Sequence, residues 1–249
     1  MAGNSGTPGA SVTSRVLAVL GAFDGDHRAL GLSEISRRAE IPVATAHRLV
    51  GELVRGRALA RRQSGEYVVG QLLWDLGLLA PTQSGLREVA SPFLHDIYGA
   101  TLATVHLAIR EGTEVLYVAR HSGHQSVPVV STVGSRLPMH ATGVGKVLLA
   151  YAPAEVQQQV LANLARVTPY TITQPGRLER ELARVRESGF AQTSEEMSLG
   201  ACSVAVPIVA QDLVVASIGI VVPSLRSERD RLVAALNVAA RGIGRSLSP

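Results

Sequence analysis

The chain has 249 residues, 46% of them hydrophobic and only 4% aromatic, which suits two modest domains with cores of Ala, Val, Leu and Ile better than a single one. Its one cysteine, Cys202, excludes a disulfide framework and any multi-cysteine metal site and fits a reducing compartment, so a cytoplasmic location is expected. A net charge of +4 decides little by itself, and what matters is where the charge lies.

In chain order, Met1 to Ser11 is rich in Gly, Ser and Ala without a basic start or an apolar core, and reads as a flexible tail instead of a signal peptide. No apolar run approaches the roughly 18 residues needed to cross a bilayer, so no membrane partner is expected. Val12, Val16, Val19, Leu20 and Phe23 recur at helical spacing, with Ser11 or Thr13 as cap, and Asp24-Gly25-Asp26 ends that helix. A short second helix starts at or just before Ser33 and buries Ile35 and Ala39. After a turn at Glu40-Ile41, Pro42 opens a third helix whose inward face is Ala46, Leu49, Val50 and Leu53.

Two short helices joined by a tight turn, the second exposing polar residues at its start, fit a major groove. Val43, Ala44, Thr45, His47 and Arg48 would face the bases, with Ser33 at the preceding helix joining the DNA-contacting set. Ala58-Leu59-Ala60 and Glu66 to Val69 then form a hairpin around Arg61-Arg62-Gln63-Ser64-Gly65, a wing whose Arg61 and Arg62 would meet the DNA backbone or minor groove. Between Arg37 and Arg62 seven arginines stand against two acids, a local surplus that attracts phosphate. Residues 12–70 therefore read as a winged helix-turn-helix binding double-stranded DNA. Residues 71–84, with Leu72, Leu73, Trp74, Leu76, Leu78 and Leu79 before a break at Pro81, read as an apolar linker helix for a dimer contact or the next domain.

Residues 85–249 form the second domain. Leu86, Val89, Phe93, Leu94 and Ile97 mark a helix, followed by strands at Thr101 to Ile109 and Glu114 to Ala119 and a third candidate at Val127 to Val130. Helices are expected at Thr142 to Ala150, Pro153 to Leu164, Gly176 to Glu187 and Leu225 to Leu247. A hairpin of Ser203 to Val209 and Leu213 to Val222 turns at Gln211-Asp212. Hairpins interspersed with helices imply an α+β domain with a largely antiparallel sheet.

Three stretches now resemble the IclR family of transcription regulators: the helix-turn-helix around Pro42 to Gly56, the run Gly134-Ser135-Arg136-Leu137-Pro138-Met139-His140-Ala141-Thr142-Gly143-Val144-Gly145-Lys146, and Glu195-Glu196 through Gly200 to Ala205-Val206-Pro207-Ile208. Lys146 is the only lysine among 24 basic residues and stands at a family-motif position. The resemblance implies a GAF-like effector-binding domain, a dimer or dimer of dimers on an inverted-repeat operator, and a small organic acid as effector. It places the effector between the Thr142 turn and the hairpin strands, with Gly143 and Val144 for amide contacts and Val129 and Leu137 as apolar walls. Thr193 and Ser203 match positions where relatives often carry Asp and Cys or Ser. Gly219 and Val221 match positions where some carry serines. These departures remove a charge and hydroxyls, and so favour a larger or more apolar acid, aromatic ones included, over glyoxylate or pyruvate.

Catalytic readings fare worse. Gly143-Val144-Gly145-Lys146 lacks a phosphate loop's first glycine, since His140 stands there, and has Val147 where Ser or Thr would bind magnesium. No G-x-S-x-G is present, and Cys202 reads as a small packed residue. His121 and His124 lack a second ligand pair. No cofactor, metal or catalytic residue is expected; an enzyme on a GAF-like domain and an architectural DNA binder are the alternatives. The free amides at the start of the Thr142 helix suit a carboxylate, and Gly143 would admit it by lacking a Cβ or by taking a positive φ. If that turn is not the site, the face bearing His106 and Tyr117 is the next candidate.

Overall fold

The computed structural model describes residues 11–25, 27–78, 81–123, 127 and 129–247. The chain divides near Pro81 into two compact units.

The first contains α1 (Val12–Gly21), β1 (Ala29–Leu30), α2 (Leu32–Arg38), α3 (Val43–Arg55), β2 (Leu59–Arg61), β3 (Tyr67–Val69) and α4 (Gln71–Leu78). Ser11 caps α1, its Oγ accepting from the Ser14 amide at 3.1 Å. Gly31, not Ser33, is the N-cap of α2, and Pro42 opens α3. Val19, Ile35, Leu49, Val50 and Leu59 close the core. The strands form an antiparallel sheet in the order β1-β3-β2. β1 escapes sequence reading because two residues, Ala29 and Leu30, cannot show an alternation. Over the expected linker, α4 covers Gln71–Leu78 and α5 starts at Pro81, where a proline costs no hydrogen bond. Leu79 lies outside the described residues, as do the first ten of the expected tail.

The second unit is α5 (Pro81–Thr101), β4 (Thr104–Glu111), β5 (Glu114–His121), β6 (Arg136–Pro138), α6 (Gly143–Ala150), α7 (Ala154–Leu161), α8 (Pro175–Ser188), β7 (Ala191–Ser194), β8 (Cys202–Ala210), β9 (Leu213–Val222) and α9 (Arg229–Leu247). All six strands pair antiparallel in the order β6-β5-β4-β9-β8-β7. The α+β expectation with an antiparallel sheet holds.

Period-two alternation gives this sheet two apolar faces. Val105, Leu107, Val206 and Ile218 point to one, where Leu94 of α5 and Leu236 and Ile243 of α9 cover them. Ala108, Tyr117 and Ala205 point to the other, against Val144 and Val147 of α6 and Leu178 and Leu182 of α8.

Two differences from expectation bear on the site. Val127, Val129 and Val130 form no strand; β6 pairs with β5 instead, Leu116 opposite Arg136. A turn at 132–135, closed by Ser135 N to Thr132 O at 3.0 Å, leads into β6. And β7 was missed because Ala191-Gln192-Thr193-Ser194 is too short and polar to signal a half-buried strand.

Candidate functional site

Two constellations stand out. On the first unit, α3 buries Ala46, Leu49 and Val50 and turns Val43, Ala44, His47 and Arg48 outward. Thr45 is half-buried, so it belongs to this face less fully than expected, and Ser33 is exposed on the first turn of α2. The wing closes through Gly65, at φ +88°, and a 2.8 Å bond from Arg62 N to Glu66 O. Arg61 lies over the Tyr67 ring at 5.6 Å, a contact that holds its side chain along the wing.

The arginine surplus is narrower than the sequence suggested. Arg37 pairs with Glu34, Arg38 with Asp24 and Arg55 with Glu52. Arg48, Arg57, Arg61 and Arg62 have no acidic partner among the described residues. Arg57, absent from the expected set, is also exposed.

The second unit contains a small cup, partly open to solvent. Its floor is the sheet face carrying Tyr117, His106, Gly219, Ala205, Ser203 and Thr193, and its cover is the start of α6 with Val129, Val130 and Leu137. All eight residues proposed from the sequence, Val129, Leu137, Gly143, Val144, Thr193, Ser203, Gly219 and Val221, line this one cup.

Thr142 caps α6, its Oγ1 accepting from the Gly145 amide at 3.2 Å. That leaves the amides of Gly143 and Val144 with no protein acceptor among the described residues. Such amides at a helix start attract an anion. Gly143 is not in a positive-φ conformation; the reason for glycine is close approach. A Cβ there would meet Ser203 Oγ at 2.5 Å and Ala205 Cβ at 3.6 Å. The Ser203 hydroxyl bonds that of Thr193 at 2.6 Å, so it cannot swing aside freely.

His106 and Tyr117 prove to belong to the same cup, not to a rival one. The His106 ring sits edge-on to Tyr117, centroids 4.9 Å apart, and its Nε2 bonds Ser131 Oγ at 2.8 Å. Burial, with the Arg120 charge adding to it, pushes His106 down to about 3, so the imidazole is neutral near neutral pH. Burial pushes the Tyr117 phenol up, so it keeps its proton.

Farther along α6, Lys146 is fully buried and its Nζ donates to Glu196 Oε1 at 2.6 Å. Burial pushes the Glu196 carboxyl up, and the Lys146 ammonium opposes that rise. The pair ties α6 to the segment after β7, which gives Met197, Ser198 and Ala201 to the cup wall.

Sequence reading placed neither His106 nor Tyr117 with the effector set, and it passed over Ser131 altogether. The available signal was alternation along β4, which puts His106 on the face opposite Val105 and Leu107. Cys202 is half-buried on a strand, with Sγ 3.6 Å from Ser194 Oγ, so it is less enclosed than expected. His124 lies outside the described residues; among those described, no three metal-ligand side chains gather. No helix among them is long and apolar enough to cross a membrane.

Residues 12–63 match the family model for the IclR helix-turn-helix domain, and residues 80–248 that for the bacterial transcriptional regulator IclR C-terminal domain. The HTH-type transcriptional regulator KdgR of Escherichia coli is 30% identical over 239 residues, covering 92% of this chain and 91% of that protein. BhcR of Paracoccus denitrificans is 33% identical over 229 residues, covering 88% and 81%. Among solved structures, an IclR homolog from Microbacterium hydrocarbonoxydans complexed with 4-hydroxybenzoate superposes with a TM-score of 0.92 at 37% identity, covering 95% of this chain and 99% of that one. The matched proteins are named as transcriptional regulators, a non-enzymatic class.

Proposed function

Because the chain belongs to the IclR family of transcriptional regulators, we propose that residues 12–70 read an operator and residues 85–249 hold a small aromatic acid that alters the reading. The observation that carries this is the pair of amides, Gly143 and Val144, with no acceptor among the described residues, at the edge of a cup walled by Val129, Leu137 and Val144. Carboxylate meets amide at one end and an apolar body fills the remainder. The 4-hydroxybenzoate carried by the Microbacterium homolog supports an aromatic acid, as does the absence of any side-chain charge at Thr193, Gly219 and Val221.

In this reading Val43, Ala44, Thr45, His47 and Arg48 approach base edges, with Ser33, Arg61 and Arg62 on the backbone. The regulator acts as a dimer or dimer of dimers on an inverted repeat. The outward apolar side chains of α4, Leu72, Trp74 and Leu76, the tryptophan 63% exposed, suit a contact between copies. Effector control requires the acid to bind two dimer arrangements with different affinity.

The experiment is selection of bound sequences from a random DNA pool, followed by footprinting with and without 4-hydroxybenzoate. A protected dyad whose occupancy shifts with the acid supports the reading. A footprint without a dyad contradicts the dimer geometry, and occupancy indifferent to every aromatic acid contradicts the effector class.

A further inference from the structure

We propose that the joint between Arg57 and Gly70, which fixes the direction of α4 against α3, sets the half-site spacing that this regulator accepts in an operator. Given the dimer reading above, in which the exposed side chains of α4 meet a second copy, Gly70 is a positioning residue for the pair of α3 helices.

The end of α3 has little freedom. The Ala58 amide donates to Leu53 O at 2.9 Å and the Arg57 amide to Val54 O at 3.0 Å, the paired bonds of a helix end whose next residue is left-handed. That residue is Arg57, at φ +59°. Glycine is usual in such a conformation, and another side chain persists there only where the surroundings over-determine the backbone. Two more bonds do so here. The Gly70 amide donates to Ala58 O at 2.8 Å and the Leu72 amide to Arg57 O at 3.1 Å.

The second of these bonds caps α4. Leu72 lies in the first turn of that helix, where amides have no acceptor in their own helix, and the end of α3 supplies one. Gly70 makes the approach possible. A Cβ there would meet Arg57 O at 2.3 Å and Ala58 C at 2.9 Å, so any side chain would force the start of α4 away from α3. Little else holds the helix. From Gln71 to Gly77 every residue is exposed except Leu73, which is half-buried. Its direction is therefore set by the bonds at its start more than by packing along its length.

A dimer recognises two half-sites by the separation and angle of its recognition helices. From a contact between copies on α4, the chain reaches α3 through Arg57 and Gly70, so a rigid joint holds the two α3 helices at one separation. Each base pair added between half-sites moves them about 3.4 Å apart and turns them by about 34°. A rigid joint rejects such a change.

The test is anisotropy of the full-length protein on duplexes carrying the selected half-site once, or twice as an inverted repeat whose centre is lengthened or shortened one base pair at a time. Wild type should favour one spacing about tenfold or more over spacings two base pairs away. One variant is Gly70→Ala; the other inserts a glycine after Gly70, which lengthens the joint without adding a Cβ. In both, the preference should fall to about threefold or less or move to another spacing, with single half-site affinity within about twofold of wild type. The insertion keeps the test open if Gly70→Ala does not fold. A folded variant of either kind that keeps the wild-type spacing profile overturns the proposal. So does a loss of equal size at every spacing and on the single half-site, the mark of a residue that serves the fold alone. Both results leave the dimer standing. A wild type indifferent to spacing overturns the dimer reading together with this one.

Discussion

The N-terminal unit presents its functional groups outward on consecutive stretches of chain, whereas the C-terminal unit assembles its cup from all six strands of its sheet and a buried helix. Val43 to Arg48 lie within two turns of α3, and Arg61 and Arg62 within one wing. The cup draws Tyr117 from β5, His106 from β4, Gly219 from β9, Ser203 from β8 and Thr193 from β7. A local site tolerates loss of one member, since the others stay on the same rigid element. A site made by register loses its geometry when one contact shifts. Substitutions in the two units should therefore differ in size and in separability.

The largest effect is expected at Gly143→Val. Its side chain would occupy the space in front of Ser203 and deny the acid the Gly143 and Val144 amides. Charge-assisted bonds are worth about 1.5–3 kcal/mol each, so acid affinity should fall about a hundredfold or more by calorimetry. DNA affinity without acid should stay within about twofold, since the two sites share no residue. Next, Lys146→Met strips the buried Glu196 of its counter-ion and should cost about 3–5 kcal/mol in denaturant unfolding, with much of that recovered in Lys146→Met/Glu196→Leu. A single variant as stable as wild type would remove the tie between α6 and the cup wall.

Smaller effects sharpen the contrast. Arg48→Ala should cost about 1–3 kcal/mol on the selected operator and little on unrelated DNA. His106 should also leave a trace in acid. Its pKa is about 6.5 unfolded and about 3 folded, so below pH 6.5 the unfolded chain binds the extra proton. Stability present above that pH should fall by up to about 1.4 kcal/mol per unit as pH drops from 6.5 towards 3. The slope should be shallower in His106→Phe, and an identical slope in the variant would argue against a neutral buried imidazole. Least of all, Arg62→Ala should weaken binding to every sequence alike and reduce the salt slope by about 1, which fluorescence anisotropy across a salt series checks.

The same contrast explains what was legible in the sequence. Helix starts at Ser11 and Pro42 and the glycine at the wing tip are local signals, so the order of elements in residues 12–70 could be read directly. Only β1, with two residues, gave no pattern. In the second unit, motif resemblance located Gly143 and Val144 and the strand positions around Ser203 and Gly219. Ser131 stayed hidden because its partner His106 lies 25 positions away along the chain, and nothing in a single sequence reports that pairing. The expected strand at Val127 to Val130 failed for a related reason. Its valines suit a strand by propensity, yet Val129 and Val130 line the cup, and tertiary placement overrode the local preference.

The most direct test of a DNA-reading unit controlled by a separate acid-binding cup is anisotropy of the selected operator titrated with wild type and Gly143→Val, each with and without 4-hydroxybenzoate. Both proteins should bind the DNA equally without the acid, and the acid should shift the wild-type curve and leave the variant's unmoved. A Gly143→Val protein whose operator affinity still responds to the acid as wild type does would place the control elsewhere than this cup.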